Sequence, residues 1–334
     1  MRITVVGAGS WGTTVAAIAA PKAATTVWAR RPELAALICE RGENPDYLPG
    51  FTLPPALRAT SDLEEALTGA DIVVMGVPSH GFREVLEAGA AFIRPGIPVI
   101  SLTKGIEADT LQRMTEIVVE VLDAPPHRVG VLTGPNLSAE VITGQPTASV
   151  VAVHDEWEAE RLQGLFMSPR FRVYTNPDVV GCESAGALKN VMAIAAGMAV
   201  GLGYGDNSIA ALITRALAEL TRLGVAMGGR PLTYAGLAGM GDLVATCISS
   251  KSRNRNVGKA LGEGSSLADV VAEMHMVAEG VKTTPAVLEL ADRHGIDMPI
   301  AAMVGAVVSE GRSPADMVGA LMSRQARSEV ETLG

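Results

Sequence analysis

The sequence predicts an α/β fold in two parts, an N-terminal doubly wound sheet and an all-helical C-terminal domain. Three observations carry this expectation. Through the first half, short apolar runs alternate with helical segments, the pattern of a mostly parallel sheet with right-handed crossovers. One run, Asp71–Val77, is continuously apolar until Pro78 stops it, which suits a strand buried on both faces. After Asn176-Pro177-Asp178 the strand patterns end and Ala-, Leu- and Met-rich helical patterns take over. The boundary is placed near residue 178, dividing the chain into 1–178 and 179–334.

The elements follow in order. Ile3–Val6 reads as the first strand and Trp11–Ala20 as its helix. Thr25–Trp28 is the second strand, followed by a helix over Glu33–Arg41. Asp46–Leu57 is rich in proline and reads as a loop. A helix over Gly81–Phe92 follows the apolar run. Pro98–Leu102 and Arg128–Leu132 are strands with a helix over Thr110–Leu122 between them, and Ala148–Val153 and Phe171–Tyr174 add two more. The second half reads as helices at Val180–Val200, Ser208–Met227, Pro231–Leu237, Asn256–Leu261, Ser266–Glu273, Thr284–His294, Pro299–Ser309 and Pro314–Leu321.

Composition narrows the function. The chain has 334 residues, which suits two domains at roughly 100–200 residues each. A formal net charge of −9 argues against a nucleic-acid binder or a polybasic membrane-surface protein, since both need a positive face. It leaves room for an anionic small molecule, because a few Lys or Arg side chains can converge in one cleft. The apolar fraction of 48% excludes disorder and allows a large core. Cys39, Cys182 and Cys247 are widely spaced and cannot all pair, so a reduced, cytoplasmic chain without structural disulfides is expected. The N-terminus runs directly into a strand rather than a leader. Val191–Tyr204, the longest uncharged stretch near the middle, is shorter than the ~20 residues of a membrane span. The histidines form no ligand spacing, and no metal is expected.

Gly7-Ala8-Gly9-Ser10-Trp11-Gly12 is a GxGxxG that follows the first strand and opens a helix, the context the motif needs. Its first glycine allows a tight turn, its second admits a pyrophosphate to the backbone, and its third lets helix and strand pack closely. The N-terminal domain is therefore expected to be Rossmann-like and to bind a dinucleotide. At the end of the second strand an NAD site would carry an acid for the ribose 2′-hydroxyl. Here Arg30 and Arg31 stand there and the first acid is Glu33, so NADP is favoured over NAD. The competing reading is a pair of solvated arginines.

Thr103-Lys104-Gly105 and Gly134-Pro135-Asn136 follow successive strands, where parallel sheets present ligand residues. Lys189 is the only charged side chain between Glu183 and Asp206 on an otherwise apolar helix, and Asn190 beside it is a second awkward polar group. A buried lysine is costly unless paired, which makes Lys189 a candidate general acid/base; a lysine snorkelling at a helix edge is the alternative. Asp242 is flanked by Gly239, Gly241 and Leu243 and could equally be a helix cap. Ser252-Arg253-Asn254-Arg255-Asn256 gathers polar groups before an apolar helix and suits a phosphate.

Taken together the motifs resemble one family. Gly7 to Thr13, Val77-Pro78-Ser79, Thr103-Lys104-Gly105, Thr133-Gly134-Pro135, Leu188-Lys189-Asn190, Gly241-Asp242-Leu243 with Thr246-Cys247, Ser252-Arg253-Asn254 and Val277-Ala278-Glu279-Gly280 occur in order. The chain is similar to the bacterial NAD(P)-dependent glycerol-3-phosphate dehydrogenases over nearly its whole length. The resemblance implies reversible hydride transfer between NAD(P)H and dihydroxyacetone phosphate, giving sn-glycerol 3-phosphate for phospholipid synthesis. It implies Lys189 as the proton donor and acceptor, with Lys104 and Asp242 beside it. It implies Lys104, Gly134, Asn136, Lys189, Asp242, Ser252, Arg253 and Asn254 at the substrate. For the cofactor, NADP or NAD, it implies Gly7, Gly9, Ser10, Trp11, Gly12, Arg30, Arg31, Lys104, Ser138, Arg253, Val277 and Glu279. A homodimer is implied as well.

Two departures stand out. After Gly134-Pro135 this chain runs Asn136-Leu137-Ser138-Ala139-Glu140, with Ser for the usual small apolar residue and no Lys. Pro21–Thr25 lacks the family's Gly-His turn. A related β-hydroxyacid dehydrogenase and a catalytically silent NADP-binding sensor are the other readings; Asp242 and the Ser252–Asn254 loop disfavour the first, and intact Lys104, Lys189 and Asp242 the second.

Overall fold

The computed structural model describes residues 1–273, 278–325 and 328. It divides into two compact units, Met1–Thr103 with Arg113–Val179, and Lys104–Gln112 with Val180–Gly334.

The first unit runs β1 (Arg2–Val6), α1 (Ser10–Ala19), β2 (Ala24–Trp28), α2 (Pro32–Arg41), β3 (Glu43–Asn44), β4 (Leu48–Thr52), β5 (Arg58–Thr60), α3 (Leu63–Leu67), β6 (Ile72–Met75), α4 (Phe82–Gly89), β7 (Val99–Ser101), α5 (Met114–Leu122), β8 (Val129–Thr133), α6 (Ser138–Ile142), β9 (Thr147–Ala152), α7 (Glu156–Phe166) and β10 (Phe171–Asn176). Its sheet has the order β10-β9-β8-β7-β6-β1-β2-β5. Neighbours are parallel except β8 and β9. The continuous apolar run at β6 is explained by its two faces. Ile72 and Val74 pack into one apolar layer with Val5, Val15 and Ile38, and Val73 and Met75 pack into the other with Val6, Phe82 and Ile117.

The proline-rich segment is not all loop. β3 and β4 pair as an antiparallel hairpin, and β5 extends the sheet beside β2. Pro49 is tolerated because it lies in a two-stranded ribbon, where an edge needs no donor. The helix expected over Thr110–Leu122 begins only at Met114, where Glu116 Oε2 accepts the Arg113 N–H at 2.8 Å. The helix expected over Gly81–Phe92 is α4 flanked by two short 3₁₀ turns. Asp62 and Asp155 cap α3 and α7 by accepting the N–H of Glu65 and Glu158 at 3.0 and 2.8 Å, a signal present in the sequence but unused. The unusual Pro21–Thr25 turn is tied down by Lys22, whose Nζ donates to the carbonyl of Gly164 at 2.9 Å.

The second unit is helical, with no strand among its described residues: α8 (Val179–Gly201), α9 (Asp206–Ala226), α10 (Pro231–Tyr234), α11 (Asp242–Ile248), α12 (Arg253–Gly262), α13 (Leu267–Glu273), α14 (Glu279–Arg293), α15 (Pro299–Glu310) and α16 (Pro314–Met322). α8 is by itself long and apolar enough to cross a bilayer, yet 89% of its most apolar window is buried in this core. Its packing on α12 is backbone to backbone. A β-carbon at Gly258 would lie 1.9 Å from the Ile194 carbonyl oxygen, and one at Gly197 would lie 2.0 Å from that of Arg255. Glu219 of α9 reaches the N-terminus of α15, where its carboxylate accepts the N–H of Ile300 at 2.9 Å and of Ala301 at 3.3 Å.

Candidate active site

The first unit carries a dinucleotide cradle at the β1–α1 turn. Gly7 has φ +116°, and a β-carbon there would sit 2.7 Å from the Gly76 carbonyl oxygen. A β-carbon at Gly12 would lie 2.1 Å from the Gly7 oxygen, so the close strand–helix approach demands glycine. Gly9 faces open space, as a pyrophosphate needs. Trp11, next to Ser10, has a buried Nε1 with no hydrogen-bond partner among the described residues, and its ring lies 6.0 Å from that of Phe171. These features fit a bound dinucleotide.

The β3–β4 hairpin is fastened to this turn. Fully buried Asn44 donates through Nδ2 to the Ala8 carbonyl at 2.9 Å and to Thr13 Oγ1 at 2.8 Å. Ser10 Oγ donates to the Tyr47 carbonyl at 3.0 Å. Arg30 and Arg31 end the β2 connection, and Arg31 is paired with Asp46 of the hairpin. Gly134 follows β8 with φ +123° and is succeeded by Asn136 and by Ser138, the first residue of α6. Near it the buried hydroxyls of Thr133 and Ser149 have no hydrogen-bond partner among the described residues.

The second unit holds the charged cluster. Lys189 on α8 donates through Nζ to Asp242 Oδ1 at 2.6 Å and to Thr246 Oγ1 at 2.5 Å. Lys104 donates to the other oxygen, Asp242 Oδ2, at 2.8 Å. Asp242 is the first residue of α11 and follows a π-helical turn over Leu237–Gly241, a rare feature frequently found at functional sites. Thr246 sits one turn on and donates back to the Asp242 carbonyl at 2.6 Å, so its lone pairs face Lys189. Burial and the neighbouring Lys189 charge lower Lys104 to about 8, against the pull of Asp242. Burial pushes the adjacent Cys247 thiol up to about 12, which keeps it unreactive.

A relay of amides ties the cluster to the α12 segment. Asn190 donates to the Lys104 carbonyl at 2.9 Å, Asn254 donates to Asn190 Oδ1 at 3.0 Å, and the Gly280 N–H donates to Asn254 Oδ1 at 2.9 Å. Ser252 Oγ accepts the Arg255 N–H as the cap of α12. The polar side chains of Ser252 and Asn254 thus build the segment, and Arg253 opens α12 as its first residue. Glu279 opens α14, while Val277 lies outside the described residues. The sequence singled out Lys104, Lys189 and Asp242 and assigned no role to Thr246 or Asn190. It missed Asn44 and Asp46, whose only signal was a polar Asn-Pro-Asp turn.

A glycine-rich dinucleotide cradle on a doubly wound sheet, joined in one chain to a helical unit with a lysine–aspartate–lysine cluster, defines a nicotinamide-dependent oxidoreductase. Residues 2–159 match the N-terminal model of NAD-dependent glycerol-3-phosphate dehydrogenase and residues 178–319 its C-terminal model. The chain belongs to this family. It is 55% identical over 329 residues to a glycerol-3-phosphate dehydrogenase [NAD(P)+] of Sphingopyxis alaskensis, covering 98% of both chains. It is 52% identical to that of Thermobifida fusca over 330 residues, again covering 98% of both. The crystal structure of the Coxiella burnetii glycerol-3-phosphate dehydrogenase superposes with a TM-score of 0.92 at 37% identity, covering 97% of this chain and 99% of that one.

Proposed function

We propose that this chain interconverts dihydroxyacetone phosphate and sn-glycerol 3-phosphate with NAD(P)H, and that Lys189 gives and takes the proton. The observation that carries this reading is the shared carboxylate, one oxygen of Asp242 on each of two lysines. A bound nicotinamide supplies or accepts hydride. Reduction of the ketone leaves an oxygen that needs a proton, and a buried ammonium oriented by Asp242 and Thr246 is fixed to deliver one. Lys104 adds a second positive charge where negative charge develops. Arg253 and the N-terminus of α12 attract the substrate phosphate.

In this reading residues 1–178 form the cofactor domain and 179–334 the substrate domain. Gly134, Asn136, Ser252 and Asn254 complete the substrate contacts. Gly7, Gly9, Ser10, Trp11, Gly12, Arg30, Arg31, Ser138, Val277 and Glu279 serve the cofactor. The enzyme works in the cytoplasm as a homodimer, and its product feeds phospholipid synthesis. The test is oxidation of NADPH and NADH with dihydroxyacetone phosphate beside unphosphorylated dihydroxyacetone. Turnover is expected only with the phosphorylated ketone; equal turnover of both overturns the substrate assignment.

A further inference from the structure

The two arginines at the end of β2 are not equivalent. Arg31 is the residue before α2, and its Nη2 is paired with the Asp46 carboxylate. Among the described residues Arg30 makes no ion pair. Asp46 belongs to the turn between β3 and β4, and that turn is held to the glycine-rich cradle by Asn44 on Ala8 and Thr13 and by Ser10 on Tyr47. A fixed hairpin therefore delivers an acid to the end of β2. This is where a dinucleotide site that prefers NAD would carry one on the strand itself.

We propose that Asp46 sets the cofactor choice, occupying Arg31 so that affinity for the 2′-phosphate of NADP is held down while the 2′-hydroxyl of NAD meets an acceptor. The inference rests on the reading of Gly7–Gly12 as the cofactor cradle. A 2′-phosphate beside Asp46 meets a like charge and must take Arg31 from it. Both partners are about half exposed, with side chains 53% and 48% accessible, so the pair is modest in strength and open to competition. Arg30 remains as a guanidinium for the phosphate. The outcome is an enzyme that accepts both cofactors with a narrow gap between them, with Asp46 as the residue that sets the gap.

The test is calorimetric titration of the full chain with NADP+ and with NAD+ at fixed low salt. Asp46→Asn should tighten NADP+ by about 2- to 5-fold, the upper range of one exposed charge pair, and should not tighten NAD+. Asp46→Glu keeps the charge and should stay within about twofold of the parent for both. With Arg31→Ala in place, Asp46→Asn should keep less than half of its NADP+ gain. Equal changes for the two cofactors, or a full gain without Arg31, overturn the proposal. A parent chain that binds neither cofactor overturns the cradle reading itself, and this proposal with it.

Discussion

Lys189 donates to Oδ1 of Asp242 at 2.6 Å where the two side chains are only 6% and 3% exposed. Such a pair survives burial because each charge is compensated, and Asp242 retains Lys104 if Lys189 is lost. Lys189→Ala should therefore fold and lose ~10²–10⁴ in kcat, the usual worth of a general acid. Lys189→Met, which keeps the stem, should behave alike. NADPH should still bind, since Gly7–Gly12 lie in the other unit. Fluorescence titration and single-turnover kinetics on both variants check this. A kcat within tenfold of the parent would move the proton to Lys104.

Lys104 is lowered to about 8 by burial and by the Lys189 charge, so it loses its proton on the alkaline side of neutrality. If its charge serves ketone reduction, kcat/KM in that direction should fall as pH rises past about 8. Lys104→Arg stays protonated throughout. Its activity should be lower, but its profile should be flat from pH 7 to beyond the lysine's own midpoint of about 8. The same alkaline fall in Lys104→Arg would assign that limb to another group.

Arg253 stands at the start of α12, where a guanidinium and a helix N-terminus both favour an anion. A charge-assisted contact of roughly 1.5–3 kcal/mol implies that Arg253→Ala raises the KM for dihydroxyacetone phosphate about tenfold or more. Steady-state kinetics at saturating cofactor measures it. Unchanged KM and kcat would return Arg253 to the solvent.

Glu219 gives a prediction about stability. Burial raises it to about 7 from an ordinary 4.5, against the pull of the Ile300 and Ala301 N–H groups and of Arg222; Asp297 adds to the rise. Between those two values the folded chain keeps a proton that the unfolded chain has lost. Stability therefore falls as pH rises from about 4.5 to about 7 and then levels off. Glu219→Gln removes an ionisation penalty of at most about 3 kcal/mol. Relative to the parent, its melting temperature should be higher at pH 8 than at pH 5. A difference that does not change with pH would remove the titration of Glu219 from the account.

The sequence carried the strands and helices whose burial is one-sided or complete, because such burial leaves a period. Ile72–Met75 and the α8 pattern are legible for that reason. The β3–β4 hairpin was not, since a short ribbon with Pro49 has no core face to print a pattern. Lys189 was legible as a charge in an apolar helix. The role of Thr246 was not, because it depends on donating to the carbonyl one turn back and so presenting lone pairs to a lysine 57 residues away in sequence. Asn254 was legible as polar, but its amide builds the segment through Asn190 and Gly280. Side-chain direction of that kind is set by tertiary packing and leaves no local periodicity.

The excursion of Lys104–Gln112 into the second unit has a consequence for the order of biosynthesis. Lys104 and its partner Asp242 are 138 residues apart in the chain. A ribosome adding about 5–20 residues per second finishes Lys104 roughly 10–30 s before Asp242 exists. For that interval the emerging polypeptide can close the strands around β6 and β7 but must leave a nine-residue bight, Lys104–Gln112, undocked. The first half is thus born with Lys104, a partner of Asp242, on a dangling thread. Cutting the gene at the apparent seam near residue 178 would strand that thread permanently, giving an N-terminal fragment with a frayed loop and a helical fragment in which Asp242 lacks one of its two lysine partners.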